Sequence, residues 1–116
     1  MNDWRSYYDP LIKHIAELYA DDVQIQSHLQ TLAVTAEEWD DGRGGGHLWF
    51  QNPSFAQALD VDTIDAWTQD TDGMPINLIL HTVDGHVTWG EWFRVDGAPI
   101  QCWPPRTLQR TPPRLQ

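Results

Sequence analysis

The chain contains little cysteine, little positive charge and no long apolar run. A single cysteine, Cys102, occurs among 116 residues, so no intramolecular disulfide can form, in agreement with a reducing compartment. No stretch of about 18 apolar residues is present. The first ten residues also lack the basic stretch and apolar run of a signal peptide. The sequence therefore predicts a protein without a membrane span, located in the cytoplasm.

The scarcity of Lys and Arg is the strongest feature of the composition. Seven cationic residues stand against 17 Asp and Glu, which gives a net charge of −10. Arg106, Arg110 and Arg114 lie after residue 103, so residues 1–103 carry a charge of −13. Such a surface repels phosphate groups, and nucleic-acid or anionic-membrane partners are not expected. The charge favours a basic protein partner, although acidity also serves solubility alone.

The hydrophobic content is sufficient for a folded core. It amounts to 41% and includes seven Trp, which indicates a packed globule rather than a disordered chain. The length fits one domain. We expect residues 1–103 to form a single α+β domain. Residues 104–116, with four prolines and three arginines, should form an extended or disordered tail.

Apolar periodicity predicts an N-terminal helix followed by strands. Pro10 fits the first turn of a helix that begins at Asp9, or earlier with Asp3 as its cap, and ends near Ala20. Residues 23–32 fit either a helix or a strand, and we expect a helix that leads into a loop. Strands are predicted at 32–39, 47–50, 63–69 and 75–83, and again after residue 85. The expected fold is α+β, with the helix packed on an antiparallel sheet of about five strands that ends in a β-meander.

The segment 74–100 carries the clearest structural signal. Asp84-Gly85 and Asp96-Gly97 each follow a strand-like segment, so they predict tight turns, with another strand starting after Gly97. A two-residue loop at 84–85 pairs Val83 with His86, Leu80 with Trp89, Leu78 with Glu91, and Ile76 with Phe93. This register places Glu91 on an apolar face with Trp89, Phe93, Val87, Ile76, Leu78 and Leu80.

Glu91 would then lie in an apolar pocket between Trp89 and Phe93. A carboxyl group there would be a candidate general acid or base. Two structural interpretations compete with this role. Glu91 would pair with Arg5, Lys13 or Arg43, or a β-bulge at Gly90 would turn it to solvent.

The opposite face of the same hairpin would carry Trp92 and Arg94. Trp and Arg are frequent anchors of protein interfaces, so both are candidate partner contacts if nothing covers this face. If residues 52–59 cover it, Trp92 belongs to the core. Candidate acidic contacts lie at strand ends and turns: Glu37, Glu38, Asp40, Asp41, Asp70 and Asp72.

Catalytic and cofactor motifs are not found. The glycine-rich segment 42–46 lacks the spacing of a phosphate loop and leads into a strand, so it predicts a mobile hairpin loop. Asp70 and Asp72 lack the remaining ligands of a calcium loop. His81 and His86 would share a face and could approach a metal with His47 or Asp65, but their spacing does not require one. We predict no catalytic residue, no cofactor and no metal site.

Several short segments together resemble an uncharacterised family of small bacterial domains of unknown function. They are Trp39-Asp40-Asp41-Gly42, His47-Leu48-Trp49-Phe50, and the stretch from Glu91 to Ile100. The resemblance implies an α+β fold and supplies no catalytic residues. Many small acidic bacterial domains are immunity proteins, so by class we expect a non-enzymatic inhibitor that neutralises a basic toxin. The alternative is a small-ligand-binding or enzymatic cone-like α+β domain with Glu91 in an apolar pocket.

Overall fold

The computed structural model describes residues 7–105 and 107–113, so the predicted roles of Asp3 and Arg5 lie outside the described residues. Two helices come first, α1 at Asp9–Leu18 and α2 at Val23–Gln30. Five strands follow: β1 (Ala33–Trp39), β2 (Gly45–Gln51), β3 (Thr63–Gln69), β4 (Pro75–Val83) and β5 (His86–Arg94). None of the described helices is long and apolar enough to cross a membrane.

The strands form one antiparallel sheet in the order β1-β2-β5-β4-β3. Strands β3, β4 and β5 are a meander, and the β1–β2 hairpin joins it by pairing β2 with β5. The predicted α+β fold, with the N-terminal helix on a five-stranded antiparallel sheet, is confirmed.

Both helices turn an apolar side to the sheet. Pro10 lies in the first turn of α1, where its missing N–H leaves no hydrogen bond unmade. The helix buries Leu11, Ile12, Ile15 and Ala16. In α2, the side chain of Asp22 caps the N-terminus by accepting hydrogen bonds from the N–H groups of Gln24 and Ile25, each at 3.1 Å. This cap explains why residues 23–30 form a helix rather than a strand.

The β4–β5 hairpin begins as expected and then changes register. Asp84 and Gly85 have φ angles of 52° and 80°, as a type I′ turn requires. Val83 pairs with His86 and Thr82 with Val87, but His81 pairs with Trp89. Thr88 is therefore an extra residue, and this β-bulge shifts every later pair by one position.

The bulge reverses the predicted faces of β5. Trp92, rather than Trp89, joins Ile76, Leu78 and Leu80 in the core beneath the helices. The expectation that Trp89, Glu91 and Phe93 share this apolar face is wrong, because one inserted residue moves them to the other side of the sheet. A β-bulge does turn Glu91 outward, as one of the two structural interpretations predicts, but the extra residue is Thr88 and not Gly90.

The glycine-rich segment is part of the sheet. Gly45 and Gly46 belong to β2, so the prediction of a mobile loop through residue 46 is wrong. A Cβ atom on Gly46 would lie 2.5 Å from the carbonyl oxygen of Glu38 and 2.6 Å from Cζ2 of Trp92. Glycine is needed here because the Trp92 ring lies directly against the backbone.

The chain after β5 folds back onto the domain. The indole of Trp103 stacks on that of Trp92, with ring centroids 4.8 Å apart. Gln109 exchanges two backbone hydrogen bonds of 2.8 Å with Trp67 of the edge strand β3. The described part of the tail thus docks on the sheet edge through Gln109. The strand predicted after Gly97 is absent from residues 98–105.

Candidate functional site

The side of the sheet away from the helices is the candidate site, and we call it the outer face. Every hydrophobic sheet residue of the described core points to the other side. The outer face nevertheless carries large aromatic side chains, with Trp49 37% and Phe93 38% exposed, and Trp67 and Trp89 half-buried. Exposed aromatic patches of this kind are enriched at protein interaction sites, which makes the outer face the candidate site.

Three carboxylates form a single row across the outer face. Glu38 of β1 pairs with His47 of β2, which pairs with Glu91 of β5. Glu91 pairs with Ile79 of β4, which pairs with Asp65 of β3. The acidic residues therefore occupy alternate strands, and the strand spacing places consecutive ones about 10 Å apart.

Aromatic side chains flank this carboxylate row on both sides. On one side, cross-strand pairs align Trp49, Trp89 and His81 on neighbouring strands. On the other side, Phe93 pairs with Asn77, which pairs with Trp67. The outer face thus consists of a carboxylate row between two aromatic rows.

Stacking fixes the rings nearest to Glu91. His81 and Trp89 are stacked with centroids 4.0 Å apart and planes 11° from parallel. The His47 ring lies 6.0 Å from both Trp49 and Trp89. His81 Nε2 is 3.7 Å from Glu91 Oε1, too far for a hydrogen bond, and this buried nitrogen has no other partner among the described residues. The Glu91 side chain remains 30% exposed.

No described Lys or Arg lies on the outer face. Lys13 belongs to α1, and Arg43 lies over the Trp39 ring at 4.4 Å. Arg94 is buried on the inner side, while Arg110 pairs with Asp21 near the end of α1. The carboxylate row therefore lacks a cation of its own among residues 7–105 and 107–113, and its field attracts cationic groups.

Away from the outer face, the cationic side chain of Arg110 binds an aromatic ring and a carboxylate together. The guanidinium of Arg110 lies 4.1 Å from the centroid of the Tyr19 ring and donates a 2.8 Å hydrogen bond to Asp21. An aromatic ring and a carboxylate together stabilise a cation through its attraction to the ring and a charge-assisted hydrogen bond. The outer face presents the same two kinds of group without a described cation.

Arg94 lies in the interior instead of anchoring a partner. It is 6% exposed, and its guanidinium donates hydrogen bonds to three carboxylates: Asp70 at 2.8 Å, Asp72 at 2.5 Å and Asp96 at 2.8 Å. Asp70 also accepts hydrogen bonds from the backbone N–H groups of Gln101 and Cys102. This Arg94 cluster ties the β3–β4 turn to the end of β5 and to residues 101–102, which precede the tail.

The expected surface roles of Asp70 and Arg94 are wrong, because both side chains are buried and their charges are paired. Asp72 pairs with the same arginine, but its side chain remains 41% exposed. Burial alone would raise the pKa of the Asp70 carboxyl, but the N–H groups of Gln101, Thr71 and Cys102 and the Arg94 guanidinium hold this pKa below its usual value. Hydrogen bonds from Arg94 likewise lower the pKa values of Asp72 and Asp96.

Trp92 is also unavailable as a surface anchor. It is 1% exposed and packs edge-on against Trp39, with centroids 5.1 Å apart, so the expectation of a partly exposed Trp92 is wrong. Of the other predicted acidic contacts, Glu37 accepts a hydrogen bond from the Tyr8 hydroxyl. Asp40 and Asp41 are exposed in the β1–β2 turn, and only Glu38 belongs to the carboxylate row.

The histidines do not converge on a metal. His86 Nε2 lies 3.0 Å from the carbonyl oxygen of Ala56, and its ring is 5.8 Å from that of His28, whereas His81 stacks on Trp89. Among the described residues, no group of three or more His, Cys, Asp or Glu side chains is arranged to hold a metal ion.

Alternation in the sequence could have located part of the outer face. In β2, His47 and Trp49 alternate with Leu48 and Phe50, and in β3, Asp65 and Trp67 alternate with Ile64 and Ala66. These signals assign faces strand by strand. The carboxylate row depends on the register between strands, and no sequence motif predicts this register.

Comparisons with known proteins add no identity. No protein-family model matches the chain, and no curated protein or solved structure matches it significantly. The functional conclusion therefore depends on the geometry of the outer face.

Proposed function

We propose that this protein is a non-enzymatic binding domain that captures a basic protein partner on its outer face. The observation that carries the proposal is the carboxylate row of Glu38, Glu91 and Asp65 between two aromatic rows, with no described Lys or Arg on that face. The acidic field speeds encounter with a basic partner, and partly exposed aromatic rings give the contact area that slows dissociation.

Within this class we propose an immunity-type inhibitor that works in the cytoplasm and neutralises a basic bacterial toxin. Small size and a net charge of −10, which complements a basic toxin surface, are the features that support this narrower proposal. An inhibitor needs no catalytic residue, only a surface complementary to the toxin.

No observation on the described residues supports the alternative function, a ligand-binding or enzymatic domain with Glu91 in an apolar pocket. Glu91 lies on an open sheet face and is 30% exposed, and the apolar residues under the helices belong to the opposite side. We therefore do not propose it.

Paired affinity capture tests the binding proposal. Wild-type protein and the Trp49→Ala/Glu91→Gln variant are used as baits in parallel, and only proteins lost with the variant are purified for a binary binding measurement. Glu17→Gln is the matched control, because Glu17 is an exposed carboxylate on α1. We expect the outer-face variant to weaken binary binding at least about tenfold and the control to leave it unchanged. Equal capture of every basic protein by the two baits, or a binary affinity that the outer-face variant leaves unchanged, contradicts the proposal.

The immunity role has its own test. The protein is co-expressed with a toxin encoded by a neighbouring gene, and survival is compared with that of cells expressing the outer-face variant. Protection by the wild type alone supports the role. Absence of protection, with binary binding to another basic partner intact, removes the immunity role and leaves the binding function.

A further inference from the structure

We infer that the outer face recognises arginine side chains spaced three residues apart in an extended, proline-containing segment that crosses the strands. The inference rests on the proposed binding function and names the chemistry of its partner. It follows from the spacing of the carboxylates, the placement of the aromatic rows and the way the protein binds its own Arg110.

The spacing of the carboxylates fits a partner backbone in the polyproline II conformation. Consecutive carboxylates of the row lie on alternate strands, about 10 Å apart. In a polyproline II helix, residues i and i+3 lie on the same side and about 9 Å apart, since each turn has three residues with a rise of about 3.1 Å each. A segment in this conformation that lies along the row places two cationic side chains over Glu38 and Glu91, or over Glu91 and Asp65.

The aromatic rows favour the same conformation. Proline-rich segments dock in surfaces lined by aromatic rings, because the extended helix is already ordered and loses little entropy on binding. Trp49 and Trp89 lie on one side of the row, and Phe93 and Trp67 on the other. A segment along the row would contact rings on both sides while its basic side chains reach the carboxylates.

Arginine fits this site better than lysine. Its planar guanidinium can form two parallel hydrogen bonds with one carboxylate while its flat side stacks on a ring. At Arg110 the protein combines a ring with a carboxylate: the guanidinium lies 4.1 Å from the Tyr19 ring centroid and donates one hydrogen bond of 2.8 Å to Asp21. Around Glu91, Trp89 and Phe93 are the rings two residues away along the same strand face.

A peptide series tests the inference. Dye-labelled proline peptides carry two arginines separated by two, three or four positions, with identical composition, and binding is followed by fluorescence anisotropy. We expect the three-residue spacing to bind at least about threefold more tightly than the other two. Replacing both arginines with citrulline keeps the shape but removes the charge, and should weaken binding at least about tenfold. Lysine at the same positions should give intermediate affinity.

Protein variants locate the effect on the outer face. Glu91→Gln should reduce affinity for the best peptide about tenfold, because a charge-assisted pair is lost. Glu17→Gln should leave it unchanged. Folding of each variant is verified by its circular dichroism spectrum.

The remaining outcomes overturn the inference in distinguishable ways. Basic peptides that bind the outer face without regard to spacing, or citrulline peptides that bind equally well, remove the arginine recognition but leave the proposed binding function. If no basic peptide binds, but a basic protein partner still binds the wild type and not the outer-face variant, the arginine recognition is likewise removed and the binding function remains. Absence of both removes the binding function too. Self-association that competes with the peptides would identify a second copy as the occupant and would also overturn the inference.

Discussion

His81 and Trp89 lie opposite each other on β4 and β5, with their rings 4.0 Å apart and 11° from parallel. The Asp84-Gly85 turn alone would pair Trp89 with Leu80 instead. The difference is the single extra residue Thr88, and its consequence is that the carboxylate of Glu91 and the rings of Trp89 and Phe93 face outward. The proposed function depends on this shift.

Truncation of Trp92 and of Trp49 should have very different costs. Trp92→Ala removes a ring that is 1% exposed and should reduce the free energy of unfolding by about 3–5 kcal/mol. Trp49→Ala removes a ring that is 37% exposed on the outer face and should cost about 1 kcal/mol or less. Urea unfolding of both variants measures the difference. Equal losses would contradict the assignment of faces.

The Arg94 cluster should depend most strongly on Asp70. The Asp70 side chain is 0% exposed, and Asp70→Asn removes the buried one of the three carboxylates that Arg94 contacts, so we expect a loss of about 1–3 kcal/mol in unfolding free energy. Asp72→Asn is the matched control. Its side chain is 41% exposed, and its substitution should cost far less. A variant at Asp70 as stable as the control would contradict the structural role of the cluster.

Acid should weaken the same cluster. The pKa of Asp70 lies below its ordinary value of 3.8, so the unfolded chain takes up the proton first as the pH falls. The stabilisation is therefore present above pH 3.8 and lost below it. The loss of unfolding free energy on acidification should therefore be smaller in Asp70→Asn than in wild type. If the dependence of unfolding free energy on acid pH is the same in Asp70→Asn as in wild type, groups other than Asp70 cause the acid sensitivity.

His28 should add a second pH dependence, nearer neutrality. Its Nε2 accepts a hydrogen bond from the Val87 N–H, and its Nδ1 lies 3.1 Å from the carbonyl oxygen of Gln57, so the folded state requires the neutral ring. Burial, with a further contribution from His86, lowers the pKa of His28 below its ordinary 6.5. Stability should therefore be complete above pH 6.5 and decline below it, because the unfolded state binds the proton more readily.

Unfolding of wild type and His28→Gln across this range isolates the contribution of His28 from that of the other histidines. Gln carries no titrating group, so the variant should be less stable near neutrality and should lose less stability on acidification. Parallel profiles for the two proteins would contradict the assignment.

Glu91→Gln should leave the fold almost unchanged. The side chain is partly exposed and no described Lys or Arg pairs with it, so the unfolding free energy should change by no more than about 0.5 kcal/mol. Thermal unfolding measures this effect. A loss of several kcal/mol would show that Glu91 is part of a buried ion pair, as one interpretation of the sequence held.

The sequence predicts where the strands and turns lie, but it does not predict which side of the sheet the β5 residues face. The bounds of β3 and β4 and the turn at Asp84-Gly85 follow from alternation and turn chemistry. Thr88 carries no signal of a bulge, because a β-branched residue is favourable at any strand position. The face of every residue after it was therefore predicted wrongly, including Trp92 and Arg94.

A second reason prevents the arrangement of the site from being predicted from the sequence. Glu38, Glu91 and Asp65 are far apart along the chain, and they form a row only because β2 pairs with β5 rather than with β3. Likewise, Asp70 and Arg94 carry opposite charges at positions that sequence reasoning assigned separately to the surface. Their pairing is a tertiary contact that no local pattern indicates.

The most direct test of the binding face uses the indole N–H signals of the tryptophans. Nuclear magnetic resonance spectra of the full chain are recorded during titration with an acetylated hexa-arginine amide, and the signals are assigned by single Trp→Phe variants. We predict saturable shifts for Trp49, Trp67 and Trp89 on the outer face, and none for Trp39, Trp92 and Trp103 on the inner side. Shifts confined to the inner tryptophans, or no shifts at any peptide concentration, would contradict the claim that the outer face binds a basic partner.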